Sequence, residues 1–313
     1  MESKPLIIIG GATGVGKTAL SVELAKKING EIISADSMQV YKGMDIGTAK
    51  VTKEETCGIP HYLIDEEEPD FDFNVCEFKR RAEKYIKEIY SHGNIPILVG
   101  GTGFYIQSVL YDIDFSEESS PGEYRAGLEK TDAETLYGML EKKDPESAAL
   151  IHKNNKKRVI RALEYYHNTG KKISAHNREQ KQNKSPYNFA YFILNRERAE
   201  IYKRTDRRVD LMIEAGLEAE VRSLLEGGLS ENALSMQAIG YKEMVPYVKG
   251  EISLDEAVYL IRLDTRHFAK RQITWFKREK EAVWINYEDY PDLNRMLEKM
   301  LEILKEKNIV QLS

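Results

Sequence analysis

Short, largely apolar runs alternate along the first hundred residues with longer segments in which apolar positions recur every three or four residues. Leu6-Ile7-Ile8-Ile9, Glu31-Ile32-Ile33-Ser34 and Ile95-Pro96-Ile97-Leu98-Val99 are of the first kind. They are too short for helices and lack apolar–polar alternation, as expected of strands covered on both faces. Ala19 to Ile28 and Val75 to Ser91 are helix-like, and the latter puts Phe78, Ala82, Tyr85, Ile86 and Ile89 on one face. This alternation predicts an α/β fold, a parallel sheet flanked by helices on both faces. Ligands in such sheets bind beyond the carboxyl ends of the strands, so chemistry is expected just after each apolar run.

The pattern then changes. Residues 116 to 122 are rich in Ser, Glu and Pro and read as a linker. A basic, helical block runs on to about Pro186, after which Phe189-Ala190-Tyr191-Phe192-Ile193-Leu194 is strand-like and placed to rejoin the sheet. The expected organisation is a core of residues 1–117 and 186–313 with an inserted, mainly helical domain at 118–185. Helical patterns over 198–226 and 253–279, a short strand at Val283-Trp284-Ile285 and a terminal helix complete the core.

Composition narrows the class. With 313 residues, 42% hydrophobic and 31% charged, the chain has ample material for a buried core. No run approaches the roughly 20 apolar residues of a membrane span, and the N-terminus has no signal-peptide pattern. Cys57 and Cys76 are the only cysteines, too few for a disulfide framework or a zinc site. A reduced, cytoplasmic chain is expected, and nothing in the pattern indicates an assembly larger than a monomer. The net charge of −5 does not suggest a nucleic-acid partner, but its distribution does. Lys153, Lys156, Lys157, Arg158, Arg161, Lys171, Lys172, Arg178, Lys181 and Lys184 crowd one segment, and Arg262, Arg266, Lys270, Arg271, Lys277 and Arg278 another. Segregated positive faces on an acidic protein fit a polyanion.

Specific chemistry follows the first strand. From Gly11 the chain reads Gly11-Ala12-Thr13-Gly14-Val15-Gly16-Lys17-Thr18 and continues into a helix. This is a phosphate-binding P-loop in its strand–turn–helix context, so the sheet is expected to be P-loop NTPase-like. Glycines let backbone N–H groups face an oxyanion. Lys17 adds a point charge, Thr18 a hydroxyl for Mg²⁺, and the helix directs its positive end at the ligand. A di- or triphosphate and Mg²⁺ are therefore expected.

The motif alone does not say which phosphate. No guanine-reading Asn-Lys-x-Asp occurs, and the strand at 95–99 ends in Gly100-Gly101-Thr102 where a Walker B strand would bring a metal-binding Asp. The carboxylate at a strand end is Asp36, and Asp36 and Thr102 should both face the P-loop. A kinase of a nucleoside or small metabolite stays open, though it leaves the basic 153–184 block without a purpose. So does a non-catalytic RNA-binding module, though it leaves Lys17, Thr18, Asp36 and Thr102 unexplained.

Longer blocks carry a resemblance. The P-loop, Ser34-Ala35-Asp36-Ser37-Met38-Gln39-Val40-Tyr41-Lys42-Gly43-Met44-Asp45-Ile46-Gly47-Thr48-Ala49-Lys50 and Pro60-His61-Tyr62-Leu63-Ile64-Asp65 resemble the tRNA dimethylallyltransferase family. So do Val99-Gly100-Gly101-Thr102-Gly103, Ala238-Ile239-Gly240-Tyr241-Lys242-Glu243 and Ala269-Lys270-Arg271-Gln272-Ile273-Thr274-Trp275-Phe276, in the family's order over about residues 5 to 285. Many relatives have Gly-Pro-Thr-Ala-Ser-Gly-Lys-Thr where this loop differs, at tolerant positions. An end at Ser313 without a Cys/His zinc finger leads one to expect the bacterial type.

The resemblance implies a prenyltransferase that moves a dimethylallyl group from dimethylallyl diphosphate to N6 of the adenosine 3′-adjacent to the anticodon. Its substrates would be tRNAs reading codons that begin with U, bound through the anticodon stem-loop, and no membrane is involved. Gly11 to Thr18 then cradle the diphosphate, with Mg²⁺ on Thr18 and Arg208 as a further ligand. Asp36 is implied as general base, worth roughly 10²–10⁴ in rate, with Thr102 also catalytic. The adenine must leave its stack to be reached. Contacts to tRNA are implied for Asp36, Ser37, Met38, Gln39, Thr102, Arg125, Lys157, Arg158, Val159, Ile160 and Arg161, and for Gln237, Ala238, Ile239, Gly240, Tyr241 and Lys242. Gln39 is placed to read the flipped adenine edge. By spacing, Arg262, Arg266 and Lys270 share a helix face suited to a phosphate backbone, while Trp275 and Phe276 read as core.

Overall fold

The computed structural model describes residues 3–115, 122–180 and 182–311, and the chain divides into two compact units. One comprises Met1–Val109 with Tyr187–Ser313, the other Leu110–Pro186. Of the expected linker at 116–122 only Gly122 is described, and the expected boundary at 117/118, like Lys181 of the basic block, lies outside the described residues.

The larger unit begins with β1 (Pro5–Gly11), α1 (Lys17–Ile28), β2 (Gly30–Ser34), α2 (Lys53–Thr56), β3 (His61–Tyr62), α3 (Val75–Ser91), β4 (Ile95–Gly100) and α4 (Gly103–Leu110). The smaller unit holds α5 (Glu123–Lys130), α6 (Ala133–Lys143), α7 (Pro145–Leu150), α8 (Lys156–Thr169) and α9 (Ile173–Gln180). The larger unit resumes with β5 (Asn188–Asn195), α10 (Arg198–Glu214), α11 (Leu217–Glu226), α12 (Tyr241–Val248), α13 (Leu254–Phe276), β6 (Ala282–Asn286) and α14 (Leu293–Glu306).

Among the described residues the six strands form one parallel sheet, ordered β3-β2-β4-β1-β5-β6. From β1 the chain crosses to β2, fills the gap with β4, and then adds β5 on the other side. That reversal opens a crevice between the carboxyl ends of β1 and β4. The ladder ends level there, with Gly10 opposite Gly100 and Ser34 opposite Val99. Leu6 to Ile9 are wholly buried because both faces of β1 are covered. Ile7 and Ile9 pack with Leu20 and Leu24 of α1 and Met300 and Leu304 of α14. On the opposite face a Cβ at Gly10 would lie 2.9 Å from the Phe276 ring of α13, so only glycine admits that helix so closely.

The structure departs from the sequence pattern in two places. The helix expected over 198–226 is two helices, because Gly216 takes the left-handed conformation (φ 96°) between them. The third strand of the chain, β3, has only two residues, too few to show a period. In the smaller unit, Leu128, Leu136, Leu140, Val159, Ile160 and Leu163 form a separate core. Buried Asp144 there accepts from the backbone N–H and hydroxyl of both Ser147 and Ser174, tying α7 to α9.

Candidate active site

The P-loop is held from outside by three side chains. Arg204 donates to the Gly14 carbonyl at 2.7 Å, Arg196 to that of Val15 at 3.2 Å, and the Tyr287 hydroxyl to that of Gly16 at 3.1 Å. In a trans peptide the following N–H points opposite to the carbonyl. Fixing the Val15 and Gly16 carbonyls outward therefore directs the N–H groups of Gly16 and Lys17 at the crevice. Lys17 closes the loop, its ammonium donating to Gly11 and Ala12 carbonyls at 2.9 Å each. Burial pushes that ammonium down to about 8, partly opposed by the nearby Asp36 carboxylate and reinforced by Arg208. Arg208 donates to the Thr13 hydroxyl at 3.1 Å. Burial holds its guanidinium below the ordinary value, with Asp36 acting against the shift and Arg204 with it.

Asp36 and Thr102 come together through backbone. The Ala35 N–H donates to Val99 (2.7 Å), and the Thr102 N–H donates back to Ala35 (3.2 Å). Gly100 sits so close that a Cβ there would lie 2.1 Å from the Ala35 carbonyl oxygen. Asp36 caps its own turn rather than a helix, Oδ1 accepting from the Met38 N–H at 2.9 Å and the Gln39 N–H at 3.4 Å. Beside Asp36 lies a cavity of about 120 Å³, whose lining reaches Gly101 and stops one residue short of Thr102. Lys17, Thr18, Asp36, Gln39 and Arg208 line it, with apolar wall from Val51, Ile64, Val99 and Phe268. Thr18 is exposed where it lines the cavity. His61 also lines the cavity; burial keeps its imidazole below its usual value, against the hydrogen bond of Nδ1 to the Ile59 carbonyl.

Sequence reasoning missed the residues that build this chamber from afar. Arg196, Arg204 and Tyr287 brace the P-loop, and Gln272 of α13 reaches it from 259 positions away. The Gln272 signal was present in the Arg271-Gln272-Ile273-Thr274-Trp275 run, without a contact to attach to it. Phe276 is core, and Trp275 is half-buried against Gly103.

Several residues implied as tRNA contacts have other employment. Val159 and Ile160 lie in the core of the smaller unit, and Ala238 and Tyr241 are buried in the larger one. Arg125 pairs with Glu164 and Glu129 at 2.9 and 3.1 Å. Lys242 pairs with Asp264 at 2.6 Å, and the Gln39 amide donates to the Thr48 and Ala49 carbonyls. Gly240 is buried, and Ser37, Met38 and Ile239 are half-buried. Arg262 and Arg266, expected to track phosphates, pair with Asp210 and Asp206 of α10 and hold two helices together. Lys157, Arg158, Arg161, Gln237 and Lys270 are exposed.

Comparison with known proteins places these features in context. The family model described as IPP transferase matches residues 39–279. A tRNA dimethylallyltransferase of Lachnoclostridium phytofermentans is 55% identical, covering 98% of this chain and 100% of its own. Among solved structures, the tRNA delta(2)-isopentenylpyrophosphate transferase of Staphylococcus epidermidis is 47% identical, with a TM-score of 0.73 over 97% of this chain and 99% of that one. A eukaryotic dimethylallyltransferase, described as acting on tRNA, has a TM-score of 0.85 at 32% identity, covering 97% of this chain and 80% of its own.

Proposed function

The chain belongs to the IPP transferase family, a family of tRNA dimethylallyltransferases, and from that premise we propose how its residues carry the reaction. The dimethylallyl group of dimethylallyl diphosphate is transferred to N6 of the adenosine 3′-adjacent to the anticodon, in tRNAs that read codons beginning with U. A nucleoside or metabolite kinase, left open by the P-loop alone, has no support among the relatives. The observation that carries the reading is the make-up of one cavity, in which two cations and a single carboxylate share the lining with an apolar wall. An allylic diphosphate has the matching parts: a highly charged head, a small apolar tail and an electrophilic carbon between them.

Gly11 to Thr18 would receive the diphosphate, with Lys17 and Arg208 as its cationic partners. Mg²⁺ held by Thr18 and the diphosphate would help neutralise the leaving group's charge. A bond forms between adenine N6 and the allylic C1 while the bond from C1 to the diphosphate oxygen breaks. N6 shares its lone pair with the ring, so it attacks well only as its proton departs, and Asp36 is positioned to take it. Thr102 would orient the amine or the bridging oxygen. The exposed Lys157, Arg158 and Arg161 on α8 would meet the tRNA backbone. A cytoplasmic monomer is proposed on composition.

The test incubates the protein and Mg²⁺ with labelled dimethylallyl diphosphate and an unmodified anticodon stem-loop carrying three adenosines from the last anticodon position onward. A parallel reaction holds γ-labelled ATP. Label entering RNA with ATP inert supports the reading. Label leaving ATP while the RNA stays unprenylated would return the kinase.

A further inference from the structure

The ladder between β1 and β4 ends at Gly10 and Gly100, and beyond it the two strands part into the P-loop and the Gly100-Gly101-Thr102 turn. One side chain spans the gap. Gln272 Oε1 accepts the backbone N–H of Thr13 at 2.8 Å, and Gln272 Nε2 donates to the Gly101 carbonyl at 3.0 Å. Gln272 is only 6% exposed, and a Cβ at Gly101 would lie 2.1 Å from its Nε2. The amide thus takes the place of the next rung of the sheet, offering one acceptor and one donor where two backbones have moved apart.

The rest of the α13 inner face supports it. Ala269 packs in a cluster with Ala12, Trp275 presses on Gly103, and Phe276 on Gly10. Ala12 lies in the P-loop, Gly10 on the strand leading into it, and Gly103 at the start of α4, directly after the Gly100-Gly101-Thr102 turn. Thr13, which was expected among the phosphate ligands and lines the cavity, has its backbone N–H taken up by Gln272. Its hydroxyl meets Arg208, so Thr13 links Gln272 to a cation of the cavity. On the other side Gly101 leads into Thr102, whose N–H is bonded to Ala35 beside Asp36.

We infer that Gln272 is a positioning residue that sets the diphosphate loop and the Asp36–Thr102 pair in register. This rests on the prenyl-transfer reading for its kinetic consequences, but the loop geometry is testable without it. A neutral amide is required: a carboxylate keeps the acceptor and faces the Gly101 carbonyl with a second anionic oxygen, and an apolar side chain of similar size satisfies neither loop.

The experiment compares wild type, Gln272→Met and Gln272→Glu, with thermal unfolding to verify each fold. It measures inorganic diphosphate binding with Mg²⁺ by calorimetry, and single-turnover prenylation of the stem-loop between pH 5.5 and 8. Misplacement of reacting groups by about 1 Å can cost about 100-fold, so Gln272→Met should lose about 10- to 100-fold in rate at all pH values. Its diphosphate affinity should weaken, with stem-loop affinity retained. Gln272→Glu should recover rate and diphosphate affinity as pH falls and the carboxyl regains a proton to donate to Gly101. Wild-type diphosphate affinity and rate in Gln272→Met, or a Gln272→Glu profile parallel to wild type, would overturn the inference. If wild type transfers no prenyl group, the proposed reaction falls, and the diphosphate arm still decides the positioning role.

Discussion

Tyr241 donates its hydroxyl to Glu220, and the same carboxylate accepts the backbone N–H groups of Asp45, Ile46 and Gly47 at 2.9, 2.8 and 3.0 Å. The Tyr241 ring occupies the space beside Gly47, where a Cβ would lie 2.3 Å from it. The next two residues, Thr48 and Ala49, hold the Gln39 amide at the cavity. A helix pair remote in sequence therefore fixes the loop that orients a cavity residue. Because Tyr241 is fully buried and cannot yield, Gly47→Ala should destabilise by about 1–3 kcal/mol through overpacking. Glu220→Ala, which strands three N–H groups and a hydroxyl, should lose about 1–3 kcal/mol for each of these groups that water cannot reach, and Glu220→Gln less. Urea unfolding checks both, and an unchanged midpoint for Gly47→Ala would show that the loop is free to move.

Asp36→Asn keeps an oxygen for the Met38 and Gln39 N–H groups and so preserves the turn. It removes the basicity that draws the proton from N6. Single-turnover prenylation should fall by roughly 10²–10⁴, with tRNA affinity by filter binding unchanged. Parallel loss of affinity and rate would assign Asp36 to binding instead of proton transfer.

Lys17 gives a pH dependence with a definite sign. Burial lowers it to about 8 in the folded protein, below its unfolded value of 10.5. Between those values the unfolded chain binds the extra proton, so the Lys17 contribution destabilises below about pH 8 and is relieved as pH rises towards 10.5. Diphosphate needs the ammonium form, so affinity should decline as pH passes upward through about 8, and binding at pH 8.5 should take up a proton. Calorimetry in two buffers of different ionisation enthalpy reads that uptake. Lys17→Met should abolish it and lose diphosphate affinity while unfolding no more readily than wild type at pH 7.

What the sequence disclosed and what it withheld divide along a physical line. β1, β2, β4 and β5 were legible because strands buried on both faces leave unbroken apolar runs, and α3 because its apolar face repeats at helical spacing. The P-loop, Asp36 and Thr102 lie directly after such strands, where topology alone brings them together. Gln272, Arg204 and Tyr287 act across 190 positions or more, and no local pattern marks which backbone group a distant side chain will meet. Charges on helices were ambiguous for a related reason. Arg266 reads the same in sequence whether it awaits a phosphate or faces Asp206 on the neighbouring helix.

That ambiguity yields the sharpest contrast in the molecule. Arg262 and Arg266 are paired with Asp210 and Asp206, so replacing either with Gln should reduce stability and leave the salt dependence of tRNA binding intact. Lys157 and Arg158 are exposed in the first turn of α8, which contains no acidic residue. Cations there oppose the helix dipole, so neutralising them should stabilise the fold by about 0.3–1 kcal/mol each. The same substitutions should weaken tRNA binding and flatten the plot of log affinity against log salt by about 0.7–0.9 per lost phosphate contact. Gain of stability with loss of affinity is the mark of charge retained for a polyanion. Titrations of both variant pairs from 50 to 200 mM salt separate the two groups. A slope unchanged in Lys157→Gln/Arg158→Gln would remove the start of α8 from the RNA footprint.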